Sequence, residues 1–157
     1  MKRLNVLVGC EYSGVVRDAF AARGHNAWSC DLLPSDRPNP KHIQGDIFDI
    51  LDQPWDLAIF HPPCTDLAIS GAAHFPAKIK DGRQARAIEF VERLYKCDIP
   101  RICIENPVGV LSTKSKLGKP TQYVQPYEHG HYETKKTGLW LRGLNPCLLY
   151  TSPSPRD

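Results

Sequence analysis

Leu57-Ala58-Ile59-Phe60-His61-Pro62-Pro63-Cys64 runs from an apolar stretch into a proline-stiffened turn that ends on a thiol. Four apolar residues bounded by Asp56 and a proline pair read as a buried strand, and the prolines forbid its continuation. The same grammar recurs in Ile102-Cys103-Ile104-Glu105-Asn106-Pro107, where the apolar run closes on a carboxylate. In an α/β protein, ligands bind beyond the carboxyl ends of the strands, so a thiol and a carboxylate at two such ends can face one substrate.

Working outward, residues 4–8 form an apolar run that stops at Gly9 and predict a first strand. Ser13 is expected to cap a helix reaching Arg23, with Val16, Ala19, Phe20 and Arg23 at helical spacing and Gly24 as its stop. Residues 27–30 predict a second strand closed by Asp31, and a weak third strand near Ile43 ends before Asp46, after a proline-rich loop. Residues 57–60 make the fourth strand, and residues 67–80 show no clear period. Asp81 then opens the strongest helix, in which Gln84, Ile88, Val91 and Tyr95 share a face that Ala87, Phe90 and Leu94 widen. Residues 101–104 predict the fifth strand and residues 137–141 a late one. Strands alternating with helices imply parallel pairing through right-handed crossovers, hence an α/β, doubly wound, mostly parallel sheet.

A chain of 157 residues, 41% hydrophobic and 24% charged, suits one globular domain with a real core. No apolar stretch approaches the roughly 20 residues a membrane helix needs, and Met1-Lys2-Arg3-Leu4 leads straight into a strand pattern, so a cytoplasmic protein is expected. None of the six cysteines forms a Cys-x-x-Cys pair; Cys30, Cys97 and Cys103 sit in or beside apolar segments and read as reduced core thiols. His129-Gly130-His131 reads as a turn, and no metal is expected. Cys147 to Asp157 resembles read-through translation of a sequencing adapter. Residues 1–146 are therefore expected to be the functional domain, incomplete at its carboxyl end, and residues 147–157 a non-native tail.

Gly9-Cys10-Glu11-Tyr12-Ser13-Gly14 joins the first strand to the first helix, where a bare backbone can approach a ligand. Val15 and Val16 stand where a P-loop needs Lys and Ser or Thr, and the Gly-x-Gly-x-x-Gly spacing of dinucleotide sites is absent. Asp31, ending the second strand, is placed to accept from both ribose hydroxyls, and Asp46 from an exocyclic amine. Together these features suggest an adenosine-bearing cofactor without a pyrophosphate. S-adenosylmethionine fits that description.

Pro62-Pro63-Cys64 after the fourth strand and Glu105-Asn106-Pro107 after the fifth resemble the two catalytic motifs of cytosine-5 DNA methyltransferases, in particular the small phage and prophage proteins of that kind. The likeness spans about residues 4 to 110. It implies a Rossmann-like methyltransferase fold and S-adenosylmethionine as donor, with cofactor contacts from Gly9, Glu11, Tyr12, Gly14, Asp31, Asp46 and Pro62. It also implies catalytic roles for Cys64, Glu105, Pro63 and Asn106. C5 of cytosine is too poor a nucleophile to attack a sulfonium methyl until a thiolate adds to C6, which is the task of Cys64. A carboxylic acid beside N3 stabilises the resulting enamine, which falls to Glu105. Asn106 fixes the loop or the base edge, and Pro63 stiffens the approach to the thiol. The chain departs from the family pattern at Thr65, where glutamine is usual, at Pro107, where valine is usual, and at Glu11 and Tyr12 in the opening turn; it also lacks a Gln-x-Arg-x-Arg motif.

Charge is uneven. The first 76 residues carry six Lys or Arg against nine Asp or Glu, and the remainder fourteen against eight. A basic second half with Lys114, Lys116, Lys119, Lys135, Lys136 and Arg142 suits DNA, and Lys114, Lys116 and Lys119 are the expected phosphate contacts. The alternatives are an exocyclic-amine methyltransferase acting on N4 of cytosine or N6 of adenine, a tRNA cytosine methyltransferase, and a noncatalytic cofactor- or DNA-binding prophage remnant. The first of these normally uses Asp or Asn, two prolines and an aromatic ring, whereas His61 and Cys64 hold the outer positions here.

Overall fold

The structure, a computed structural model, describes residues 2–146; the expected adapter-derived tail, residues 147–157, lies outside them. Seven strands form one sheet in the order β3-β2-β1-β4-β5-β7-β6: β1 (Asn5–Gly9), β2 (Asn26–Asp31), β3 (His42–Gln44), β4 (Leu57–Phe60), β5 (Ile102–Pro107), β6 (Gln122–Val124) and β7 (Thr137–Arg142). The first five are mutually parallel, and β7 runs antiparallel to both β5 and β6. The doubly wound, mostly parallel sheet expected from the sequence is present. Chain order reverses direction between β1 and β4, which puts the topological switch point, and hence the crevice for a ligand, at their carboxyl ends.

Helices cover both faces. Val16 and Phe20 of α1 (Val15–Ala22) pack on Val6, Val8, Ala27 and Leu57. On the opposite face Val91 and Leu94 of α3 (Arg83–Tyr95) join Leu7, Phe60, Ile102 and Ile104. Val6, Leu7 and Val8 are all fully buried, as expected of a central parallel strand covered on both sides. Between β4 and α3, where no period was legible, lie a 3₁₀ segment (Ile69–His74) and α2 (Phe75–Lys80); α4 (Leu111–Lys114) is a single turn.

Three expectations need correction. Ser13 is not the N-cap of α1, although its Oγ accepts from the Val15 amide at 3.3 Å. The N-cap is Gly14 (φ 76°), and the amide hydrogens of Val16 and Arg17 go to the carboxylate of Glu11 at 2.7 and 3.2 Å. The fifth strand also continues past Ile104, because β7 keeps pairing with it as far as Pro107 opposite Thr137. Glu105 and Asn106 are therefore strand residues, paired with Leu139 and Gly138 of β7, rather than the start of a loop. α3 likewise opens on Gly82, with Asp81 accepting the Arg83 amide hydrogen at 3.0 Å.

Candidate active site

At the carboxyl ends of β1, β2 and β3 the sheet opens into a cleft of about 430 Å³, within the usual size of cofactor sites. Asp31 and Asp46 line it, as do Cys10, Ile47, Pro63 and Phe90. Each carboxylate is steadied by a backbone amide: Asp31 accepts from Leu33 at 2.9 Å, and Asp46 accepts from Phe48 at 2.9 Å while capping the short 3₁₀ turn Ile47–Asp49. The apolar walls suit a flat heterocycle and the two acids its hydroxyl and amine donors. This set of acceptors fits an adenosine, and Asp66, Arg83 and Arg86 also line the cleft.

The remaining residues expected at the cofactor end have other work. Glu11, only 6% exposed, is the helix cap described above and also accepts from the Ser13 hydroxyl at 3.1 Å. Gly9 is a packing requirement: a Cβ there would stand 2.5 Å from the Phe60 ring. Gly14 supplies the left-handed backbone before α1. Tyr12 is half exposed and outside the cleft lining, and Pro62 serves through its carbonyl rather than as a wall of the cleft. Cys10, which sequence reading passed over, occupies the left-handed region (φ 59°) and lines the cleft. Substituting Glu11 with alanine is expected to lower stability by about 1–2 kcal/mol in chemical denaturation, since two amide hydrogens at the start of α1 lose their acceptor.

The reacting ends are stitched together residue by residue. Parallel register sets Phe60 beside Ile104, so His61 emerges beside Glu105, and its Nδ1 lies 2.9 Å from Glu105 Oε2. Asn106, 1% exposed, donates from Nδ2 to the Pro62 carbonyl at 3.0 Å, which assigns it to holding the loop. Beyond Cys64 the two segments join again: Val110 N–H donates to the Leu67 carbonyl and Ile69 N–H to the Val108 carbonyl, each at 2.9 Å. Cys64 is thus bracketed by ties on both sides, and its own carbonyl accepts from Leu67 and Ala68.

Side chains from two helices complete the clamp. The buried Lys78 ammonium of α2 donates to the Thr65 carbonyl, and Gln84 of α3 donates to that of Asp66 at 3.2 Å. Glu105 and Cys64 are not lining residues of the cleft, whereas Pro63 is. Ile104 belongs to the core under α3, on the cleft side of the sheet, so Glu105, next along β5, takes the opposite face.

Burial raises the pKa of all four other described thiols, Cys97 included. Cys10 is pushed up to about 12, chiefly by burial and then by the charge of Asp31, and Cys30 and Cys103 to about 11 for the same main reason. All five described cysteines are free.

A solved structure from E. coli, named as a candidate DNA modification methyltransferase encoded within a prophage, superposes on this chain with a TM-score of 0.54. The match covers 88% of this chain and 46% of the other, at 18% identity. The fold is Rossmann-like, as in that neighbour. This chain thus spans less than half the length of that neighbour. No protein-family model and no curated protein sequence matches it.

Of the lysines expected to meet phosphate, Lys114 donates to Gln84 Oε1 at 3.0 Å and so supports the clamp on Asp66, while Lys116 and Lys119 are exposed. Arg142 turns inward, donating to the carbonyls of Tyr95 and Cys97. Exposed Lys135 and Lys136 instead flank a groove of about 670 Å³ that also takes in Ile69, Pro107 and Tyr132, beside the strand end carrying Glu105. Among the described residues no helix is long and apolar enough to cross a membrane.

Proposed function

We propose that this chain transfers a methyl group from S-adenosylmethionine to C5 of cytosine in DNA, with Cys64 as nucleophile and Glu105 as the acid at N3. The single observation that carries the reading is the clamp joining the β4 and β5 ends: Asn106 on the Pro62 carbonyl, with backbone ties from Leu67 to Val110, holds the thiol-bearing turn against the strand of the acid. The Cys64 thiolate adds to C6, forming the S–C6 bond as the C5–C6 π pair moves toward C5, while Glu105 places a proton at N3. Asp31 and Asp46 hold the adenosine, and Pro63 forms the boundary between cofactor and base. When bound, the cofactor supplies an electrophilic methyl group. Once C5 has bonded to the methyl group, solvent water takes the C5 proton, the C6–S bond breaks to release Cys64 as thiolate, and N3 returns its proton to Glu105, restoring the ring.

Incubation with methyl-labelled cofactor and a duplex, followed by digestion to nucleosides, tests this reading. Label in 5-methylcytosine is expected; label in N4-methylcytosine or N6-methyladenine assigns the exocyclic-amine chemistry instead. Contact with DNA is placed at Lys116, Lys119, Lys135 and Lys136. Reversing Lys135 and Lys136 to glutamate is expected to weaken duplex binding and reduce the slope of log affinity against log salt by about 2. An unchanged slope in a fluorescence titration contradicts that placement.

A further inference from the structure

Glu105 must offer its carboxyl to a base in one direction, and a strand residue whose side chain is about one-third exposed does not fix that direction alone. The neighbour that can is His61. Its backbone is set, since its N–H donates to the Gly9 carbonyl at 3.0 Å and Pro62 and Pro63 follow directly. Its ring bridges to Glu105 through Nδ1 at 2.9 Å. Its other nitrogen, Nε2, is buried and has no hydrogen-bond partner among the described residues.

Those two facts favour one tautomer. A proton on Nε2 would be a buried, unpaired N–H, which costs more than a bare acceptor, so the proton belongs on Nδ1, where it meets Glu105 Oε2. This is the minor tautomer of a free histidine in water, so the site selects it. We infer that His61 is the positioning residue for Glu105: its Nδ1–H holds Oε2, locks the carboxyl in one rotamer and leaves Oε1 to meet the pyrimidine. The role rests on the cytosine reading above. A salt bridge serving the fold alone would leave the rate of the chemical step untouched; a positioning contact governs it.

Four variants and one spectrum of the full chain test the role. His61→Ala is expected to lower kcat roughly 10²-fold, the scale of a catalytic group displaced by about an ångström, with KM for DNA and cofactor within about twofold. His61→Asn, which keeps a donor where Nδ1 stood, is expected to recover most of that loss. In a Glu105→Gln background His61→Ala should add less than about twofold, because the two residues act as one unit. The ¹⁵N spectrum of the histidine-labelled chain should show the proton on Nδ1 of His61. A proton on Nε2, an undiminished kcat in His61→Ala, or an equal loss in both backgrounds overturns the role. A wild-type chain that methylates no cytosine overturns the parent reading, and this role with it; an active wild type with an equally fast His61→Ala variant overturns this role alone.

Discussion

Cys64→Ser is expected to lower methyl transfer by at least about three orders of magnitude, roughly 4 kcal/mol in the barrier, while cofactor affinity stays within about twofold. The volume change is small, so what is lost is chemistry: a serine hydroxyl is not an effective nucleophile near neutral pH without a dedicated base, whereas a thiolate is. No other described thiol is placed to substitute. Cys10 and Cys30 line the cleft but burial holds their protons, and Cys103 lies inside β5 in the same condition. Cofactor affinity is spared because the cleft is lined by Pro63 and not by Cys64. Calorimetric titration of the variant with the cofactor, run beside the labelled-methyl assay, separates the two effects. A parallel fall in both would mean that the substitution has unfolded the loop.

Gly109→Ala is expected to have the next largest effect. A Cβ at Gly109 would stand 1.9 Å from the Leu67 carbonyl oxygen and 2.9 Å from Ala68 Cα, both backbone atoms of the loop that follows Cys64. Backbone cannot rotate aside as a side chain does, so the methyl group must push apart the strand-like bridge between Ala68 and Gly109. Overpacking of this kind costs about 1–3 kcal/mol of stability. The larger effect falls on activity: separating the two stitched segments moves the thiol relative to the acid, and a shift near 1 Å costs about 10²-fold in rate. Thermal denaturation and kcat measured on one preparation check both. Wild-type activity in Gly109→Ala would show that the tie beyond Cys64 does not set the site.

The parts of this architecture legible in the sequence are those written in short local patterns. Apolar runs closed by Gly9, Asp31, Pro62 and Glu105 give the parallel strands, and Asp31 and Asp46 are found at the cleft because a strand end is itself a local signal. Glu11 carries no local signal as a cap because it stands outside the helix, reaching forward five and six residues, whereas the usual signal is a residue at the N-cap. β6 went unseen since Gln122-Tyr123-Val124 is too short to show alternation and exists through its pairing with β7. That same late strand extends β5 over Glu105 and Asn106, past a proline that reads locally as a stop. The contact between His61 and Glu105 depends on the register of two strands 44 residues apart, and the Lys78 and Gln84 holds on the Cys64 loop come from helices on a different layer. No window of sequence contains such pairs.

The most direct test of a covalent Cys64 mechanism is trapping on a duplex whose target cytosine is replaced by 5-fluorocytosine, read by intact mass and peptide mapping in the presence of S-adenosylmethionine. Fluorine at C5 blocks the elimination that frees the enzyme, so a methylated protein–DNA adduct joined through the sulfur of Cys64 should accumulate and be absent from Cys64→Ser. Methylated DNA with no adduct, or an adduct on any other residue, would contradict it.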